Sequence, residues 1–510
     1  NVWVATMNGD DMKVLFVSLD SKGYSELKLR LFYELCIEYA DNITVKQYSA
    51  FSDDEVVLRD MIHDEYDAVL FLVDEFSINK SLRIAKGIKK VNSLIKTIFV
   101  GEILNFEPQH FMTGHHYIDY IALGEGEATV TGLMNLIFEG DIKEGKIKGL
   151  AYRQSGRAIK NPEPSNVVLD TLPFAYQNAS IKGKKAIYYE TSRGVRFAST
   201  YSNIKSVEKP RMLEIDIVKR DISYFVMQGI KDIYIVDSNF NWDLERTHDL
   251  LRYMQEVSNE SVHFHLNMNA EVVDEKLIDI LRKSNRGMFT ITFNLVSLDK
   301  KTLYAVNRRH AALDELEIIE KIAKATEVKV IVSLIAGLPF EKMEQFIEGF
   351  DKIYDAGEID IDINQLRLRR GSELDRNRAI YSYVSSAEFP GYVISSQDLN
   401  SKGLAAIMST YYTYELFVRK HEFRGAIDHI RNEGMLSPFK FFNLLYEYMR
   451  ARSLNIQSAE DAARVLLAFA KTLRLSDGIK QVIAKNLEDE IGIKRYTEFQ
   501  QLGWKLAKHE

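Results

Sequence analysis

Along the first third of the chain, short runs of apolar and β-branched residues alternate with amphipathic stretches. Val14–Leu19, Thr44–Tyr48, Ala68–Val73, Thr97–Val100 and Tyr117–Leu123 are the runs, and they predict strands. Between them, Glu26–Tyr39, Glu55–His63 and Ser81–Val91 carry apolar positions at helical spacing. Strands that are apolar on every residue are buried on both faces, and alternation with helices implies right-handed βαβ units in a parallel sheet. The prediction is a Rossmann-like, doubly wound domain over residues 12–145. A proline-punctuated linker is expected over 146–183, with a short strand at Lys148–Arg153 and turns at Asn161–Pro164 and Leu172–Phe174.

A second alternating series begins at Ala186–Glu190 and continues through Asp232–Val236, Val262–Leu266, Met288–Leu295, Val328–Ala336 and Ile361–Leu368. Helices such as Ile215–Gln228 and Leu313–Ala325 separate these runs. Six βα units over residues 184–375 predict a partial (β/α)6 TIM-like barrel, whose ligands belong at the C-terminal ends of its strands. Beyond about Tyr381 the strand signal fades. Leu404–Arg419, Pro438–Ala451, Ala459–Thr472 and Asp477–Glu490 read as helices, giving a helical C-terminal domain over 376–510. The fold class is therefore α/β with an added helical domain.

Composition narrows the function. A net charge of −7 over 510 residues argues against a general nucleic-acid footprint. No apolar run reaches membrane-spanning length, and Asn1–Asp11 lacks the pattern of a signal peptide, so it reads as a leader or a cloning remnant and cytoplasm is the expected location. Cys36 is the single cysteine, which excludes internal disulfides and any site built from several thiolates of this chain.

The most informative stretch is Tyr188-Tyr-Glu-Thr-Ser-Arg-Gly-Val-Arg-Phe-Ala-Ser-Thr-Tyr-Ser202. It resembles the cluster loop of the cobalamin-dependent radical-SAM family, E-T-S-R-G-C-P-F-x-C-x-Y-C (SAM being S-adenosylmethionine). Glu190, Thr191, Ser192, Arg193, Gly194, Phe197 and Tyr201 keep its framework. Val195, Ser199 and Ser202 stand where the family has cysteines, and Arg196 replaces its proline. Ile118–Glu127, ending Gly-Glu-Gly-Glu, resembles the end of the family's cobalamin-binding domain. Val236–Phe240 resembles V-D-x-x-F, Thr302–Arg308 resembles T-L-x-x-x-N-R, and Leu334–Glu341 resembles the I-x-G-L-P-x-E strand bordering the SAM adenine. One motif has eroded: Thr292, Asn294 and Val296 occupy the Glu, Gly and Gln positions of E-x-G-x-Q-S, and only Ser297 is retained. The long helical tail matches a subgroup with an uncharacterised C-terminal domain.

In that family three thiolates hold a four-iron cluster, and SAM chelates the remaining iron. Valine offers no lone pair, and serine hydroxyls replace soft thiolates poorly. No metal or cluster site is expected. The resemblance implies cofactor contacts at Gly101, Gly124, Glu125, Gly126 and Glu127 for cobalamin. It implies them at Glu190, Arg193, Asp237, Asn239, Gly337 and Pro339 for SAM or another small molecule. Each has a plainer reading. The glycines can serve folding alone, and the polar residues can be inherited loop structure. The first loop, Asp20-Ser-Lys-Gly-Tyr-Ser, lacks the histidine that ligates cobalt in one class of corrinoid domain. His263 and His265 share a strand face, but with no carboxylate or third ligand near in sequence they read as packing rather than metal ligands. The basic clusters Lys205, Lys209, Arg211 and Arg367, Arg369, Arg370 read as solvated charge, and Tyr411–Phe417 as helix packing.

Three functions follow as expectations. The first is a degenerate radical-SAM-like protein acting through cobalamin, SAM, or substrate or partner binding, the substrate being a small molecule or peptide. The second is a cluster-free cobalamin- or SAM-dependent methyltransferase using polar chemistry. The third is a scaffold or accessory protein for an active paralogue.

Overall fold

The computed structural model describes residues 12–20, 24–195, 198–203, 207, 209–258, 261–308, 312–476, 478–502 and 504. Residues 1–11, Lys205, Arg196, Phe197, Asp477 and the first-loop residues 21–23, all used above, lie outside them. The chain divides into two compact units. One is Asn1–Ile291 with Arg367–Asn377 and Ser385–Tyr392; the other is Thr292–Leu366 with Arg378–Val384 and Val393–Glu510.

The first unit opens with a seven-stranded sheet. Its strands are β1 (Val14–Leu19), β2 (Ile43–Tyr48), β3 (Ala68–Leu72), β4 (Lys96–Val100), β5 (Tyr120–Ala122), β6 (Leu150–Gln154) and β7 (Arg157–Lys160). They lie in the order β2-β1-β3-β4-β5-β6-β7. The first five are parallel, and β5-β6 and β6-β7 are antiparallel. All six residues of β1 are buried. Leu15, Val17 and Leu19 point into one core, and Val14 and Phe16 into the other. Helices cover both faces, which is why β1 reads as an unbroken apolar run.

Two strands of this sheet fall inside the stretch expected as a linker. Strand β7 is half-exposed and carries Arg157 and Lys160, so it lacks an apolar pattern. Strand β6 is anchored by Arg153, which donates to the carbonyls of Met112, His115 and Ile118. Those carbonyls lie at and just after the end of helix Pro108–Gly114, where helix C-termini leave acceptors unpaired.

The barrel strands are β8 (Ala186–Tyr189), the short pair β9 (Ser192–Arg193) and β10 (Arg211–Met212), then β11 (Asp232–Ile235), β12 (His263–Met268), β13 (Phe289–Val296), β14 (Lys329–Ala336) and β15 (Ile359–Gln365). Six of them form a sheet in the order β15-β14-β13-β12-β11-β8. Pairing of β8 with β11, β11 with β12, and β14 with β15 is parallel. Along β12 burial alternates strictly: Phe264, Leu266 and Met268 are buried, and His263, His265 and Asn267 are half-buried. One face meets the helices and the other faces the barrel interior.

The second unit ends in helices: Ser401–Tyr414, Arg424–Glu433, Pro438–Arg450, Ala459–Thr472, Ile479–Ile491 and Ile493–Leu502. Tyr411–Phe417 is packing material, as expected: Tyr414 is fully buried against Phe350, Tyr354 and Phe442. Among the described residues no helix is long and apolar enough to cross a membrane.

Candidate functional site

The loop after β8 carries Glu190–Ser202, at the C-terminal end of the strand. Asp237, just beyond β11, holds its first turn. Its carboxylate accepts from the Thr191 amide at 2.7 Å, the Thr191 hydroxyl at 2.6 Å and the Ser192 hydroxyl at 2.7 Å. Burial pushes this carboxyl above its ordinary range, and these donors oppose the shift. Asp237 is thus consumed by the scaffold rather than presented to a ligand. Asn239 is half-buried.

Arg193 is 9% exposed and meets three carboxylates. Its guanidinium lies 2.8 Å from Glu190, 3.1 Å from Glu125 and 2.7 Å from Glu127. Glu127 also pairs with Lys28 at 2.8 Å, and Glu125 with Arg211. Burial works against the Arg193 charge, but the three carboxylates outweigh it and hold its pKa above the ordinary arginine value. Burial likewise opposes the Glu125 charge; Arg211, Arg193 and Lys28 more than offset it and hold this carboxyl low. The Gly-Glu-Gly-Glu loop and the Glu-Thr-Ser-Arg loop are therefore locked together by charge. Arg211 pairs with Arg193 across β9 and β10, and Glu125 bonds both guanidinium groups. Arg211 is not the solvated charge expected of it. Nor are Arg367 and Arg369, which both bond Glu75.

The remainder of the loop is built for a tight course. Gly194 has φ +133°, and a Cβ there would meet Val207 at 2.7 Å. The Val195 carbonyl accepts from Val207, and the Ser202 amide donates to the Ser199 carbonyl. Thr200 and Asn203 tie the loop to Leu374 and Arg370. Val195, Ser199 and Ser202 are each half-buried.

The candidate cobalamin glycines have neighbours within the protein. A Cβ on Gly101 would lie 2.0 Å from the Val73 carbonyl oxygen. Gly126 has φ +96°, and a Cβ there would lie 2.8 Å from both Phe32 and Val100. Gly124 is closed by Asn105, whose side chain exchanges hydrogen bonds with its amide and carbonyl. At Gly101 and Gly126 the room a Cβ would need is taken by the chain itself. Asn105 had no sequence signal.

In the second unit the retained residues also engage one another. Thr302 donates to the Pro339 carbonyl at 3.0 Å, and Tyr383 to the Gly337 carbonyl at 3.1 Å. Arg308 donates to the Asn294 carbonyl at 2.7 Å. Ser297, the survivor of the eroded motif, hydrogen-bonds Glu341, which is fully buried with its other oxygen unpartnered. Burial raises the Glu341 carboxyl to about 8.

Residues 189–353 match the model of the Radical SAM superfamily, which defines the class. The chain is 23% identical over 328 residues to the cobalamin-dependent radical SAM methyltransferase TokK of Streptomyces tokunonensis. That match covers 60% of this chain and 48% of the relative, so the chain spans about half of that relative's length. The fold is shared with two solved structures. OxsB, a cobalamin-dependent S-adenosylmethionine radical enzyme with aqua-cobalamin and S-adenosylmethionine bound, superposes with a TM-score of 0.62 at 12% identity, covering 97% of this chain and 80% of its own. TsrM of Kitasatospora setae, a radical S-adenosylmethionine methyltransferase with cobalamin and a [4Fe-4S] cluster bound, gives 0.55 at 14% identity, covering 72% and 76%. Residues 189–353 thus carry the Radical SAM match, and the relatives and solved structures this chain resembles are cobalamin-dependent radical-SAM enzymes.

Proposed function

We propose that this chain is a degenerate radical-SAM-like protein that works without an iron–sulfur cluster, through binding of cobalamin, SAM or a small-molecule or peptide substrate. The cluster loop carries the reading. Asp237 and three carboxylates hold its frame, yet its thiolate positions are Val195, Ser199 and Ser202. Donors of this kind do not fit a four-iron cluster. Cys36 does not compensate: it is fully buried in the core of the seven-stranded sheet, and burial pushes its thiol up to about 12.

The parallel strands β2-β1-β3-β4-β5 follow the flavodoxin-like order, whose ligands sit outside the strand ends at the β1/β3 switch point. Asp20, Gly101 and Gly124 would border a corrinoid there. Asp20 and the loops 73–77, 101–107 and 123–126 include no histidine, so backbone and carboxylate groups of these segments would do the holding. Bound cobalamin would supply a methyl carrier. Gly337 and Pro339 would border SAM, whose methyl is electrophilic without any radical step.

Anaerobic reconstitution with iron and sulfide tests the reading. The expected result is no stoichiometric cluster absorbance after gel filtration; about one four-iron unit per chain overturns it. Hydroxocobalamin should remain with the protein through desalting, and its complete loss would remove cobalamin and favour an accessory or scaffold role. Methyltransferase relatives and the retained Gly337–Glu341 segment support a second reading, polar methyl transfer. Aerobic release of S-adenosylhomocysteine from SAM would favour it over binding alone.

A further inference from the structure

The opposite ends of the same barrel strands hold a second cluster. Asp232 begins β11 and His263 begins β12, with His265 two residues on. Parallel register sets Asp232 beside His263, and Tyr234 beside His265. Period-two alternation puts all four side chains on the interior face. His265 Nε2 lies 3.1 Å from Asp232 Oδ1, and His263 Nδ1 lies 3.6 Å from the same oxygen. One ligand atom from each residue falls within 4.8 Å of the others. The carboxylate missing from the sequence reading is supplied by the neighbouring strand.

We propose that Asp232, His263 and His265 form a binding site for a divalent transition-metal ion of the zinc class. Bonds of about 2.0–2.2 Å in tetrahedral array set ligand atoms roughly 3.3–3.5 Å apart, and the two measured separations bracket that value. Two imidazoles and one carboxylate are borderline donors suited to zinc, cobalt or ferrous iron, not to magnesium or calcium. Outer partners are in place. His263 Nε2 lies 2.8 Å from the Thr290 hydroxyl, which leaves Nδ1 to face the ion. Tyr234 stacks flat on His265, with ring centroids 3.8 Å apart, and fixes its plane. The imidazoles are stacked, with centroids 4.3 Å apart and planes inclined by 28°, so binding one ion requires the His263 ring to turn out of the stack. The three side chains are 22–35% exposed, which leaves a fourth position for water or a substrate heteroatom. The five positions from Asp232 to Asp237 separate this site from the Glu190–Ser202 loop by roughly 16 Å, so it stands independently of the cluster-free reading.

The test uses untagged full-length protein stripped with a chelator, then titrated with Zn(II) by calorimetry and with Co(II) by visible absorption. One equivalent of zinc and an intense four-coordinate cobalt spectrum are expected. His265→Gln and Asp232→Asn should each weaken zinc binding about 100-fold with circular dichroism unchanged, and Thr290→Val about tenfold. Absence of stoichiometric zinc binding by the wild type overturns the proposal. So does a cobalt spectrum that survives in the His265→Gln/Asp232→Asn double variant, since the ion would then sit elsewhere.

Discussion

Two aspartates flank one short strand, and they have opposite fates. Asp237, just past the C-terminal end of β11, is 2% exposed and accepts from Thr191 and Ser192. Asp232, at the start of the same strand, is half-exposed and faces two imidazoles. The end where a barrel carries its chemistry is here bound into the scaffold, while the usually structural end keeps donors within reach of solvent. A retained motif residue can therefore mark inherited architecture, and a residue outside every motif can mark a site.

The largest effect should come from Asp237→Ala. It strands three buried donors at 1–3 kcal/mol apiece, so guanidinium unfolding should show a loss of about 4 kcal/mol. A loss below about 1 kcal/mol would break the contrast, because Asp237 would then be dispensable to the scaffold. Next is Arg193→Met, which removes one of the two cationic partners of Glu127, whose side chain is 1% exposed. About 3 kcal/mol should be lost, and adding Glu127→Gln should recover part of it in a double-mutant cycle.

Glu341 sharpens the comparison, being a buried carboxyl with one hydrogen-bond partner instead of three. Its folded pKa of about 8 lies above the ordinary 4.5. Between those values the native chain keeps a proton that the unfolded chain releases, so this group's contribution to stability falls as pH rises across the window. Glu341→Gln should flatten that slope, relatively stabilising the protein at pH 8 by roughly 3 kcal/mol in paired denaturation curves at pH 5 and 8. A slope identical to wild type would rule out the buried proton. The smallest effect belongs to Asp232→Ala. A half-exposed pair contributes little, so metal-free stability should change by less than about 1 kcal/mol.

Much of the fold was legible because burial on both faces writes itself as a continuous apolar run. Val14–Leu19 and Ala459–Thr472 were predicted with the bounds they have. Strand β5 is shorter than its apolar run, since the Tyr117 carbonyl and the Asp119 carboxylate turn aside to meet Thr97. Strand β7 was missed because a half-exposed edge strand need not be apolar. The site was half legible. Motif resemblance found Glu125, Glu127, Glu190 and Arg193, but which charges meet depends on loops far apart in sequence. Asp232 carried no signal at all, because its relation to His263 and His265 exists only in the register of β11 against β12. Gly126 was read as a ligand border. Its neighbours Phe32 and Val100 make it a packing requirement, so a side chain there tests folding before it tests binding.

The burial of Cys36 makes the protein a ready host for site-specific labelling. Its fully enclosed thiol, with little thiolate at neutral pH, should stay silent toward maleimides and nitroxide reagents. Converting Val195, Ser199 or Ser202 to cysteine one at a time therefore installs one reactive handle at each of these positions in the loop after β8. Spin or fluorescent probes attached there would report motion of that loop directly, against a background with no competing thiol.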